Sequence, residues 1–377
     1  LRTSAIRLFI LLLLFLIATC DSAELQSTLV ELGAEPSMFT LISMASSSQD
    51  HTLLVGGMLL IRGDHPHLSP RFWRIATDRA LAQTSVLEIT PDTSRIESLS
   101  AVGTSGNISF MAGTLASGAL GIFQVDSAGH FSILGTPQKL DEAVAIHRVM
   151  KTGGGRILLL GQMGGKPFAA LFDEHGSILW KQVVGKGMYG ILLDARLFKN
   201  GSFIAVGSAL SEEFKGRKEH PLIAEIDSQG RIVRELMLDD SHALEATTWP
   251  GLETVSIRPL SQPPSRLVWF QSQSKGNTSP DVLPLSQNIL IRELSFPLGA
   301  EKAILVDCEK GMPRVRIVDR HGIILDQKIF QNAQMSPAEM TAIIADGVLY
   351  IAGPAFRIEN GKDLRGFIRV LAVRIGE

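Results

Sequence analysis

One pattern constrains this chain more than any other feature, a motif that returns about every 49 residues. Two copies align by eye. One reads GGGRILLLGQ and then PFAALFDEHGSILWKQVV across residues 153–184; the other reads KNGSFIAVGS and then PLIAEIDSQGRIVRELML across 199–238. Each holds a Gly- or Asn-rich turn, an apolar strand ending in Gly, a variable loop, a strand ending in Asp, a Gly turn and one more strand. Asp173 and Gly176 of the first copy correspond to Asp227 and Gly230 of the second. The segments are short, β-branched and punctuated by Gly, so the unit is a small antiparallel sheet rather than a helical repeat.

The strand ending in Gly recurs at Gly56, Gly113, Gly161, Gly207 and Gly353, and the strand ending in Asp at Asp78, Asp126, Asp173, Asp227 and Asp319. At two further places, RLVWFQ (266–271) and KAILVD (302–307), the strand has lost its Gly. This predicts an all-β fold, a seven-bladed β-propeller of four-stranded antiparallel blades. A lone sheet cannot bury both faces, whereas radial stacking buries them against neighbouring blades. The fifth unit is the weakest. Residues 272–287 carry no clear Asp–Gly turn, so six blades also fit. The last unit ends at Glu377 without a fourth strand, while LQSTLVELG (25–33) precedes the first inner strand, MFTLISM (38–44). Residues 25–32 are therefore expected to complete the last blade and close the ring.

Residues 1–23 read as an export leader, with Arg2 and Arg7 ahead of an unbroken apolar run from Leu8 to Ala18 and small residues after it. The run fits the hydrophobic region of a signal peptide and is short for a membrane span. Cys20, after Leu16, Ile17, Ala18 and Thr19, stands where a bacterial lipoprotein carries its lipid. Two outcomes fit: lipidation at Cys20, or plain cleavage near residues 20–23. Residues 24–377 then form a single domain outside the cytoplasm, in the periplasm, anchored at the outer membrane or secreted. The other cysteine, Cys308, follows an apolar strand and has no intramolecular partner once Cys20 is lipidated or removed, so no disulfide framework exists. A formal net charge of −2 gives no basic excess that would suit nucleic acid.

The repeat resembles those of secreted bacterial propellers of the broad PQQ-like and WD40-like group. LFDEHGSILW, with Asp173, Gly176 and Trp180, looks like the docking motif of quinoprotein blades. The resemblance implies that Trp180 packs between blades. It does not extend to the cofactor, because the adjacent cysteines of many quinoprotein dehydrogenases are missing, and no cofactor is expected.

No Gly-x-Ser-x-Gly elbow, phosphate-binding loop or HExxH pattern is present. His65 and His67 flank Pro66 beside Asp64; His-x-His suits a metal on a strand, but a polar loop is the simpler reading, and no metal site is assigned. Asn107 and Asn200 match glycosylation sequons yet sit where hairpin turns favour Asn. Arg148, Arg196 and Arg258 fall near the end of the expected first strand in three successive units. Lining a central channel, they would form a basic arc for carboxylate or phosphate groups; alternatively each pairs with a carboxylate of the next blade, such as Asp194 or Glu253, and holds the ring. These expectations combine into a non-catalytic propeller, an interaction scaffold or subunit whose partners are other proteins of an envelope or extracellular assembly. Membrane attachment would come only through a lipid on Cys20. The alternative is an enzyme or a carbohydrate- or anion-binding propeller with its site at the channel mouth.

Overall fold

A computed structural model describes residues 27–35, 37–47, 52–61, 67–77, 84–90, 96–126, 128–185, 188–197, 201–210, 219–237, 243–248, 254–259, 266–271, 281–284, 294–298, 302–319, 323–336, 340–359 and 363–375. Strand β1 (Ser27–Glu35) comes first. Blade 1 is β2 (Phe39–Ser47), β3 (Thr52–Ile61), β4 (His67–Thr77) and β5 (Thr84–Ile89). Blade 2 is β6 (Ile96–Ser105), β7 (Ile108–Leu115), β8 (Leu120–Val125) and β9 (Phe131–Gln138). Blade 3 is β10 (Val144–Lys151), β11 (Ile157–Met163), β12 (Lys166–Phe172) and β13 (Ile178–Val183). Blade 4 is β14 (Tyr189–Leu197), β15 (Phe203–Leu210), β16 (Glu219–Ile226) and β17 (Ile232–Met237). Blade 5 is β18 (Ala243–Thr248), β19 (Thr254–Pro259), β20 (Arg266–Gln271) and β21 (Asp281–Pro284), and blade 6 is β22 (Leu294–Leu298), β23 (Lys302–Glu309), β24 (Met312–Asp319) and β25 (Ile324–Ile329). Blade 7 takes β26 (Thr341–Ala345), β27 (Val348–Glu359) and β28 (Asp363–Arg374) from the end of the chain and β1 from its beginning.

All seven sheets are four-stranded, with every pairing antiparallel, and blade 7 runs β1-β28-β27-β26. The expected closure is therefore present: Thr28 pairs with Ala372, Val30 with Val370 and Leu32 with Ile368. The first strands of consecutive blades pack on one another, from β2 on β6 round to β26 on β2. First strands thus line the axis and fourth strands form the rim. Burial follows this order. The second strand of blade 3 is buried on both faces from Ile157 to Gly161, whereas its fourth strand alternates between half-buried and exposed residues. The apolar clusters lie between blades. One joins Leu158, Leu171, Phe203 and Ile226 of blades 3 and 4; another joins Leu32, Phe39, Trp73 and Ile368 across blades 7 and 1.

The repeated Asp and Gly are turn chemistry. Asp173 Oδ1 accepts from the backbone N–H groups of His175 (2.9 Å) and Ser177 (2.8 Å), and Gly176 has φ +79°. Asp126 and Asp227 bond the same two positions of their own turns. An Asp side chain thus satisfies the tight loop between third and fourth strands, and Gly supplies the left-handed residue. Each turn also seals a joint: Gly129 abuts Ile89, Gly176 abuts the backbone of Leu134, and Gly230 abuts Trp180, always on the fourth strand of the preceding blade.

The second-strand glycines have another cause. Gly161 pairs with Ile146 and Gly207 with Leu192, beside a register shift in each first strand. A side chain at either place would collide with the bulged backbone, at the carbonyls of Ala145 and Ile191.

Candidate functional site

The bulges place the residues that follow them at the inter-blade joints near the axis. Arg148, just past the bulge of β10, reaches Asp194 on β14, with Nε 3.6 Å from Oδ1. Asp194 is buried and the Arg148 side chain is about one quarter exposed. This is the ring-holding pair, with the expected carboxylate on the expected blade. Other first strands meet through Ser43 Oγ and Thr104 Oγ1 at 3.2 Å, and through Gly103 pressed on the Val149 carbonyl.

Arg196 lies on β14, two residues after Asp194. Arg258 lies on β19, the second strand of blade 5 and not the first. The expected arc of three matching first-strand positions is therefore not formed: Arg148 and Asp194 are the equivalent residues, opposite Leu160 and Val206, whereas Arg196 pairs with Ile204 and takes the place of Met150. The fifth unit lacks the Gly and Asp–Gly marks, so its strands were counted one place late: Ala243–Thr248 is the first strand and RLVWFQ the third. Cys20, Asp64, His65, Asp78, Asn200 and Glu253 lie outside the described residues. His67 begins β4 and is exposed. Asn107 occupies the tight β6–β7 turn, as expected, and its Oδ1 accepts from Thr52 Oγ1 at 3.4 Å. Among the described residues no three His, Cys, Asp or Glu side chains converge on a metal-sized site.

Blade 6 holds a charge cluster that the sequence did not announce. Asp307 and Arg314 face each other across β23 and β24. Arg314 donates to Asp307 through Nε (2.8 Å) and Nη2 (2.6 Å) and to Glu309 through Nη1 (2.8 Å); Arg316 Nη2 donates to Asp307 at 3.1 Å. The Asp307 side chain is fully buried. Its hydrogen bonds hold the Arg314 guanidinium above the ordinary range, whereas burial pulls Arg316 below it against the attraction of Asp307. Two carboxylates and two guanidiniums balance, which marks a structural network rather than an open anion site. On the opposite face Cys308 packs against Met340, 3.6 Å between sulfurs, and burial pushes its thiol up to about 12.

The most prominent exposed feature is in blade 7. Strands β27 and β28 pair over their full twelve residues, whereas β26 has five. The hairpin therefore outruns β26 from Gly353 onward and outruns β1 beyond Gly366, the partner of Phe356. Phe356 is 57% and Ile358 65% exposed, on one face of the hairpin, opposite Gly366 and Leu364. Gly366 abuts Ser37 and Met38, itself exposed, where the chain crosses from blade 7 to blade 1. The other face is cationic. Arg369 donates to Glu31 (3.0 and 3.1 Å) and to the Gln334 carbonyl, Arg357 reaches Glu31 at 3.4 Å, and both guanidiniums lie over Phe367.

No protein-family model matches the chain, and no curated protein matches its sequence. Solved structures do resemble it. The BP39L lectin from Burkholderia pseudomallei superposes with a TM-score of 0.56 at 13% identity, over 90% of this chain and 97% of the lectin. Sqt1 from Chaetomium thermophilum gives 0.55 at 13% identity, over 93% and 100%. A protein of unknown function from Dyadobacter fermentans gives 0.52 at 9% identity, over 92% and 98%. At such identities the likeness concerns the fold alone, and the fold is a β-propeller.

Proposed function

We propose that this chain is a non-catalytic interaction propeller acting outside the cytoplasm, and that it binds a partner protein of an envelope or extracellular assembly through the blade 7 hairpin. The observation that carries this reading is the exposed apolar face of the hairpin, Phe356 and Ile358, at the end of the sheet above an ion-paired base. Aromatic and aliphatic side chains presented on a fixed ribbon suit a partner's pocket, because little order is lost on binding. In this proposal the leader, residues 1–23, exports the chain, which is then released or held at the membrane by a lipid on Cys20. Kinship with the secreted PQQ-like group would account for that compartment.

The test is affinity capture from solubilised membranes with two variants, each first shown to be folded at the temperature of the assay. Phe356→Ser with Ile358→Ser is expected to lose the captured partner. Arg148→Gln, Arg196→Gln and Arg258→Gln together are expected to keep it. The reverse outcome would move the function to the channel, as an anion- or carbohydrate-binding site.

A further inference from the structure

The closing strand gives the ring a polarity. β1 begins at Ser27, opposite Val373, and ends at Glu35, opposite Gly366. Val373 in turn lies opposite Leu349, beside the β26–β27 turn at Asp346 and Gly347, whereas the β27–β28 hairpin closes at the far end, beyond Glu359 and Asp363. The chain therefore enters blade 7 on one face of the ring, and the exposed hairpin stands on the other.

Every strand pairs antiparallel with its neighbour in the blade, so the two faces carry different turns. The third-to-fourth strand turns, with Asp126, Asp173 and Asp227, share the entry face. The second-to-third loops and the crossings between blades share the hairpin's face. That second face holds the exposed aromatic side chains, which among the described residues are Phe356 and Tyr189, the residue that opens β14. Met38, before β2, and Met237, the last residue of β17, are exposed on the same face.

The length of chain ahead of β1 limits how far a lipid can reach. Cys20 precedes Ser27 by seven residues (27 minus 20), which span about 25 Å at full stretch. Ile358 is level with Leu364, nine residues along β28 from Val373 (373 minus 364), or about 30 Å. A lipid on Cys20 thus falls short of Ile358 even when its tether doubles back along the rim.

We propose that the lipid-anchored chain rests with its entry face, the face of the Asp–Gly turns, toward the membrane, and that the hairpin faces the aqueous phase. This rests on the partner-binding reading above and narrows it. The partner is a water-soluble protein or an ectodomain that stands clear of the bilayer, and neither a membrane-spanning segment nor the lipid surface.

Blade 2, away from the tether, reports the orientation. Ala128 and Ser117 are exposed in turns at opposite ends of β8, about 20 Å apart along the strand. Ala128 lies on the entry face and Ser117 on the hairpin's face. Ala128→Cys and Ser117→Cys are made separately in the exported full chain, labelled with a fluorophore and inserted in phosphatidylethanolamine–phosphatidylglycerol vesicles that carry a headgroup nitroxide. Cys308 is buried, with its thiol pushed up to about 12, and takes no label. The dye at Ala128→Cys is expected to lose most of its emission to the nitroxide. The dye at Ser117→Cys should stay as bright as in nitroxide-free vesicles, and adding Cys20→Ser to either should abolish vesicle binding. Equal quenching at the two positions, which means a ring standing on its edge, or stronger quenching at Ser117→Cys would overturn the orientation and leave the hairpin's capture of a partner intact. An exported chain whose mass shows no lipid would overturn the orientation together with the anchored form. Phe356→Ser with Ile358→Ser that still captures the partner would overturn the binding reading and the partner class drawn from it, and leave the orientation standing.

Discussion

The joint between blades 3 and 4 and the seam within blade 7 solve one problem by different means. At the joint the chain is continuous and the repeat motif does the sealing. Trp180 stacks on Phe203 at 5.7 Å and 6°, the Gly230 turn closes over its indole, and the Gly185 N–H donates to Glu235 at 2.8 Å. At the seam the two ends of the chain meet and no turn is available. There β1 is held by its ladder to β28, by Leu32 and Ile368 in a cluster with Phe39 and Trp73, and by Glu31 with its two arginines. The comparison separates what the repeat is for from what lies outside it. Repeat residues build the ring; the exposed apolar face of the blade 7 hairpin occurs where that hairpin outruns the repeat.

Breaking the joint should cost most. Gly207→Val drives a side chain into the Ile191 carbonyl across the bulge, in a buried second strand. The expected loss is about 3 kcal/mol, the upper end of overpacking, read as a lowered urea midpoint. A midpoint equal to the parent's would show that the bulge relaxes freely. Trp180→Ala comes next. It removes an indole that is only partly buried, so the loss should be roughly 2 kcal/mol, below that of a fully buried aromatic. If Trp180→Ala melts no earlier than the parent, the stack is ornament and the joint rests on the aliphatic cluster alone. The smallest effect belongs to the seam's ion pairs. Glu31→Gln deletes partly exposed contacts to Arg357 and Arg369 and should cost less than about 1 kcal/mol, with the difference shrinking in high salt. A larger, salt-insensitive loss would mean that Glu31, not the apolar cluster, holds the seam.

Much of this architecture was legible in the sequence because it rests on local chemistry. The Asp–Gly turns, the glycines opposite bulges and the spare N-terminal strand are short motifs whose physical demands do not depend on distant residues. The expected closing strand, 25–32, is observed as Ser27–Glu35. Trp180 lies between blades, as the family resemblance implied. Of the two alternatives the sequence left for Arg148, ring-holding is the one observed, with Asp194 of the next blade as its carboxylate. Arg258 was misplaced because the fifth unit carries no punctuation from which to count strands. The Asp307–Arg314–Arg316 network and the exposed face at Phe356 were invisible for another reason: they depend on which neighbour covers which face, and only the assembled ring decides that.

The central claim is that non-covalent pairing of the chain's two ends closes the ring in one register. Val30 and Val370 are cross-strand partners in that register, although 340 positions separate them in sequence (370 minus 30). The decisive measurement is disulfide formation in Val30→Cys with Val370→Cys on a Cys20→Ser background, read by intact mass and melting with and without reductant. The pairing predicts spontaneous oxidation to an intramolecular disulfide and a stabilisation of roughly 2–4 kcal/mol that vanishes on reduction. Introduced thiols at positions 30 and 370 that both stay free under oxidising conditions, with the folded protein melting like the parent, would contradict it.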